Sequence, residues 1–182
     1  MPGAACLNGE KRNTRKLIDV LDFEIWRSSR TERPFAILLL DMDDLKATND
    51  RFGHLAGRQA LCRLADILRI YCRAIDIAAR YGGDEFVLVL PETDMEEAER
   101  VAQRIQARVR DDSNHPPISV SIGTAVYPQN GETPEQLIVA ADRAMYARKR
   151  LREHTPAPLA EKTKTELSRF LPSVFMCLPW GT

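Results

Sequence analysis

The sequence predicts an α+β domain: a βαββαβ sheet of the ferredoxin-like or polymerase-palm kind, with additional N- and C-terminal helices. Three observations predict it. A short apolar run, Phe35-Ala-Ile-Leu-Leu-Leu40, stops abruptly at Asp41. Two further apolar runs flank the pair Gly82-Gly83. Amphipathic segments of helical period alternate with these runs, in the order of a split βαβ unit. At 182 residues and 44% hydrophobic content, the chain can bury one core and is short for two domains.

Leu17, Ile18, Leu21 and Ile25 recur at helical spacing, so residues 1–30 are expected to hold a lead-in helix. Residues 35–40 read as a strand buried on both faces, and its polar end puts Asp41 and Asp43 on one of them. A loop is expected over residues 49–57, then a helix presenting Leu61, Leu64, Leu68 and Tyr71. Strands over 76–81 and 86–90 are joined through Gly82-Gly-Asp-Glu85, a hairpin signal in which glycine supplies positive φ.

Thr93-Asp-Met-Glu96 reads as a capping box before a helix carrying Met95, Ala98, Val101, Ile105 and Val109. Ile118, Val120, Ile122, Thr124 and Val126 alternate as a half-buried strand. Thr133-Pro-Glu-Gln136 opens a closing helix with Leu137, Ile138, Ala141 and Met145. The core domain is thus placed at 31–153. The prolines from Pro156 onward mark 154–182 as a tail, docked through Phe170, Phe175 and Trp180.

Composition narrows the function. Twenty-six Lys plus Arg balance twenty-six Asp plus Glu, so no overall field draws the chain to nucleic acid or an anionic membrane. Cys6, Cys62, Cys72 and Cys177 are scattered without paired spacing, which indicates neither a zinc site nor a disulfide framework but reduced thiols. No signal peptide is apparent, and the longest apolar run falls far below the roughly 20 residues of a membrane span. A soluble, cytoplasmic chain is expected, with no direct membrane insertion.

In such a sheet the first strand lies beside the hairpin, bringing Asp41 and Asp43 opposite Asp84 and Glu85. Like charges that close need a cation between them. Hard oxygen ligands without Cys or His favour magnesium or manganese, and two ions beside a phosphate site suit nucleotidyl transfer. Bland readings compete: strand-end and turn residues for the acids, surface charges for Lys46 and Lys149, and a simple turn at Asn49-Asp50. The joint arrangement of both acidic pairs favours a site.

Tyr81-Gly-Gly-Asp-Glu-Phe86 resembles the signature of the GGDEF family of diguanylate cyclases, and the resemblance runs from about residue 35 to 149. Upstream, Asp41-Met-Asp-Asp-Leu-Lys46, Asn49-Asp50 and Gly53-His-Leu-Ala-Gly57 fit the family's pattern. Downstream, Ser121-Ile-Gly-Thr124 and Ala141-Asp-Arg-Ala-Met-Tyr146 do so.

The resemblance implies condensation of two GTP into cyclic di-GMP and pyrophosphate, with two magnesium ions at each active site. It also implies a face-to-face homodimer in which each 3′-hydroxyl attacks the other nucleotide's α-phosphate. Carried over by position, Asp41, the Met42 carbonyl and Asp84 hold metal, and Asp84 and Glu85 form the catalytic hairpin. Asp43, Asp44, Leu45, Lys46, Asn49, Arg58 and Lys149 contact substrate, Asn49 at guanine and the two lysines at the triphosphate. Arg73-Ala-Ile-Asp76 matches the family's inhibitory product site, and an upstream sensor domain would act through the lead-in helix.

Three positions depart from the family's pattern. Arg58 stands where an Asp usually accepts from guanine N1 and N2, and a guanidinium has no acceptor. Arg152-Glu153 stand near the place of a phosphate-binding Arg, for which Arg148, Arg150 or Arg152 could substitute. Ala5-Cys-Leu-Asn-Gly9 replaces the usual Asp-x-Leu-Thr-Gly. Two alternatives follow: a cyclic di-GMP receptor without efficient turnover, and a cyclic dinucleotide synthase of altered base choice. A haloacid-dehalogenase-like phosphatase is suggested by Asp41-Met-Asp43, but Leu45 replaces the expected Thr or Val, and the Gly82-Gly83 hairpin is left unexplained.

Overall fold

Strand β1 (Phe35–Met42) is the axis of the computed structural model, which describes residues 10–154. The remaining elements are α1 (Glu10–Thr31), α2 (Leu45–Phe52), α3 (His54–Tyr71), β2 (Ile77–Arg80), β3 (Glu85–Leu90), α4 (Met95–Arg110), β4 (Val120–Tyr127) and α5 (Pro134–His154). The strands form one sheet in the order β2-β3-β1-β4, with every neighbouring pair antiparallel. This is the predicted βαββαβ arrangement with helices added at each end. The segment 5–9, and the tail beyond His154 with its expected docking, lie outside the described residues.

Alternation along β1 explains its continuous apolar run. Ala36, Leu38, Leu40 and Met42 pack with α3 and α4, while Phe35, Ile37 and Leu39 pack with α1 and α5. β3 divides likewise, with Phe86, Leu88 and Leu90 on the first face and Val87 and Val89 on the second. Helices therefore cover both faces of the sheet, so both sets of side chains must be apolar. Leu17 and Leu21 of α1 are buried in the second core, so the lead-in helix packs on the domain.

Four local expectations need correction. β4 is buried on both faces, not half-buried, because Gly123 lets α5 lie directly on it. A Cβ at Gly123 would meet the Ala141 carbonyl and the Met145 backbone, a close approach that only glycine permits. Residues 49–57 are not a loop: α2 and α3 occupy the stretch and meet at Gly53. Asp44, at φ 55, turns the chain out of β1 into α2.

The capping box of α4 begins one residue later than expected. Asp94 accepts from the Glu97 N–H at 2.8 Å and Glu97 reaches back to the Asp94 N–H, while Thr93 is buried and donates its hydroxyl to the Pro91 carbonyl. Finally, the hairpin forms without positive φ at Gly82 or Gly83; among the described glycines only Gly53 has it. Tyr81 and Gly82 instead both donate their N–H to the Glu85 carbonyl, at 2.8 and 3.2 Å. Arg80 closes the tip by donating to the Gly82 and Gly83 carbonyls.

Candidate functional site

The polar ends of β1 and the β2–β3 hairpin meet at one edge of the sheet. Asp41 is registered opposite Glu85, and the next link of the ladder runs from the Met42 N–H to the Asp84 carbonyl at 3.0 Å. The backbone thus brings Asp41, Asp84 and Glu85 together, as the strand order requires. By the alternation of β1, Asp41 and Asp43 share the face covered by α5.

α5 supplies the basic partner. Lys149 donates from Nζ to Asp41 Oδ1 at 2.7 Å, with the two side chains 38% and 15% exposed. That hydrogen bond raises the lysine's pKa, against a smaller opposing effect of burial, and the charges of Asp41, Asp43 and Asp84 raise it further. The ammonium group beside Asp41 therefore stays protonated at neutral pH. Asp43 is held separately: its Oδ1 accepts from the buried Ser121 hydroxyl at 2.7 Å, and its N–H donates to the Ser119 carbonyl at 3.0 Å.

The chemistry of this donor set suits a small hard cation: three carboxylates, the Met42 carbonyl and no sulfur or imidazole. The spacing is less closed than the expectation. Among the described residues, no three acidic, His or Cys side chains gather tightly enough to enclose an ion. In this arrangement Lys149 supplies the positive charge.

Next to the acids, a cleft of about 230 Å³ lies between α5 and the hairpin, lined by Leu39, Tyr81, Glu85, Ile138, Asp142 and Met145 among others. On the other side, α2 carries Asn49 and Lys46. A Cβ at Gly57 would collide with the Asn49 carboxamide, so this glycine seats Asn49 against α3. Lys46 and Asp44 are exposed, and Leu45 is half-buried against the α3–α4 core. Arg58 is exposed on α3, at the rim of an apolar slot of about 140 Å³ floored by Leu61, Ala65, Leu68 and Phe86.

The substitute arginines proposed for phosphate binding are only partly described. Arg148 is committed to the Ile122 carbonyl at 3.0 Å and to Glu99 at 2.6 Å, which ties α5 to β4 and α4. Arg150 lies over the Tyr146 ring at 6.0 Å. The side chains of Arg152 and Glu153 lie outside the described set.

Far along α3 from His54, Arg73 and Asp76 form a tight turn. Asp76 Oδ2 accepts from the Arg73 N–H at 2.6 Å, and the Asp76 N–H donates to the Arg73 carbonyl at 3.1 Å. The Arg73 side chain is left exposed, while Asp76 Oδ1 is buried without a hydrogen-bond partner. The carboxylate thus shapes the loop as well as presenting charge. Sequence reasoning missed Ser121 and Arg148 as supports of the site, although Ser121 sits in the quoted Ser-Ile-Gly-Thr stretch.

Comparison with known proteins identifies the family. The family model described as diguanylate cyclase, GGDEF domain, matches residues 12–155. The chain is 40% identical over 138 residues to the bifunctional diguanylate cyclase/cyclic di-GMP phosphodiesterase MucR of Pseudomonas aeruginosa, covering 74% of this chain and 20% of that one. It is 37% identical over 145 residues to the diguanylate cyclase DosC of Escherichia coli, covering 76% and 31%. The chain thus spans only about a fifth to a third of these relatives' lengths. Among solved structures, the GGDEF domain of PA1120 (YfiN or TpbB) from Pseudomonas aeruginosa superposes with a TM-score of 0.71 at 34% identity, covering 75% of this chain and 89% of that one. Family match, sequence likeness and sheet architecture agree, and the chain belongs to the GGDEF-domain family of diguanylate cyclases.

Proposed function

We propose that this chain is the catalytic domain of a diguanylate cyclase, joining two GTP into cyclic di-GMP with release of pyrophosphate. The observation that carries this reading is the β1–β3 edge, where Asp41, Asp84 and Glu85 are fixed side by side by backbone pairing and Lys149 reaches in from α5. Preorganised groups of this kind stabilise charge that develops in a transition state at little cost in reorganisation.

Asp41, the Met42 carbonyl and Asp84 would hold magnesium, or manganese, with two ions per active site. Bound there, the metal lowers the pKa of the attacking 3′-hydroxyl and neutralises charge on the leaving pyrophosphate. Glu85 supports Asp84 from the same hairpin. Lys46 and Lys149 bind the triphosphate, and Asp43 and Asp44 set the backbone that leads into α2. Asn49, seated on Gly57, presents its carboxamide to the base beside Leu45. Because each site holds one nucleotide, the reaction needs two copies of the domain face to face. The Arg73–Asp76 turn is the feedback site for product, with the exposed guanidinium on the base edge.

A second reading concerns the base. Among the described residues Arg58 has no hydrogen-bond or ion-pair partner, and it stands at an apolar slot, so it can donate to guanine O6 and N7 or adenine N7 but cannot accept from guanine N1 and N2. The test is incubation of concentrated protein with magnesium and GTP, ATP or both, with products separated by chromatography and identified by mass. Cyclic di-GMP alone supports the cyclase and removes the altered-base reading, whereas a mixed or adenine-containing product selects that reading. No product under any condition, with cyclic di-GMP still bound, leaves a receptor.

A further inference from the structure

The Lys149 ammonium sits among the carboxylates that the proposed chemistry assigns to a metal. Its bond to Asp41 Oδ1 is 2.7 Å, and the Asp41 side chain is only 15% exposed. Backbone pairing sets Asp41 opposite Glu85 with Asp84 next along the ladder, so like charges approach at this edge and a cation beside Asp41 offsets their repulsion. α5 provides it from within the chain. The seat of Lys149 is firm, since Arg148 beside it anchors α5 to β4 and α4 through the Ile122 carbonyl and Glu99. Gly123 lets the helix approach closely enough for the lysine to reach.

We infer that Lys149 is an internal counter-cation of the metal-free site, which a divalent ion must displace from Asp41 before nucleotide phosphate can engage the freed ammonium. The inference rests on the metal-dependent reading of this site. Its consequence is coupling: the ion expels Lys149 and so hands the phosphates a protonated lysine, while phosphate that retains Lys149 leaves Asp41 open to the ion. Each ligand thereby favours the other by the same factor. In the absence of nucleotide, the lysine lowers the site's affinity for stray divalent ions.

The test is direct binding of Mn2+ to the full chain, followed by the electron paramagnetic resonance signal of the free ion. It is run with and without a non-hydrolysable GTP analogue, on wild type, Lys149→Met, Lys149→Arg and Arg143→Met. Without nucleotide, Lys149→Met should bind Mn2+ about tenfold tighter or more, because a hydrogen bond between charged groups need no longer be broken. Lys149→Arg should stay near wild type. Arg143→Met removes an exposed charge elsewhere on α5 and should change affinity by less than about threefold. The analogue should tighten Mn2+ binding more in wild type than in Lys149→Met.

Mn2+ affinity that is the same in Lys149→Met and wild type overturns the inference while leaving the metal-dependent reading intact. Equal tightening in Lys149→Met and Arg143→Met also overturns it, since a general loss of positive field would then suffice. Absence of Mn2+ binding by every variant, with or without the analogue, overturns the metal-dependent reading and the inference together.

Discussion

Glu24 of α1 is 3% exposed, and its Oε2 lies 3.2 Å from Arg27 Nη2 without forming a hydrogen bond. Burial raises its pKa, attraction to Arg27 opposes that, and the charge of Glu92 raises it again. A carboxyl whose pKa is raised by folding binds protons more readily in the folded chain, so stability falls as pH rises from the ordinary carboxylate range through the raised value. Glu24→Gln should therefore melt a few degrees above wild type at pH 8, roughly the effect of about 1 kcal/mol in a domain of this size. The gain should shrink to nothing as the pH is lowered through that range, and thermal melts across pH check it. Cys72 offers a second check at this scale. Burial first, and then the neighbouring Asp76, push its thiol up to about 11. Iodoacetamide at pH 8 should modify Cys72 about tenfold or more slowly than a free thiol, read by peptide mass mapping. Neither group was singled out in the sequence for its burial, since side-chain spacing on a helix shows a face but not what covers it.

The helix α5 illustrates what the sequence reveals about elements and what it conceals. Its start was legible: the Gln136 N–H bonds to the Thr133 hydroxyl at 3.3 Å, and Pro134 occupies the first helical position. Its contact with β4 was not, because the alternation of residues 118–126 looks the same whether one face is wet or covered by a helix. Gly123 carries that information, for a strand glycine marks a close approach. Gly123→Ala should cost about 1–3 kcal/mol in chemical denaturation, since overpacking displaces the helix. It should also weaken the grip of Lys149 on Asp41, since Lys149 lies about one helical turn beyond Met145, which packs on Gly123. The hairpin teaches the converse lesson. Gly82-Gly83 did mark a turn, but through carbonyls pinned by Arg80 and not through positive φ. Residues 49–57 read as a loop in the sequence because Asn49, Asp50 and Gly53 are turn formers, and the left-handed Asp44 that starts α2 has no sequence signature of its own.

For the whole molecule, the sheet order follows from two facts readable in the chain: strands of unbroken apolar character, and a split βαβ order of elements. Both are enough to set Asp41 opposite the hairpin acids, as the β1–β3 register does. The sequence did not predict that Lys149 would bond to Asp41, because that contact spans 108 positions and depends on how closely α5 sits on β4. The central claim is that this shared edge performs magnesium-dependent joining of GTP. Its most direct test is the rate of cyclic di-GMP formation by Asp84→Ala against wild type, at concentrations where both are folded to the same melting temperature. The account predicts a loss of at least about a hundredfold in the variant, because a metal-holding carboxylate is removed; a variant that makes cyclic di-GMP at the wild-type rate would contradict it.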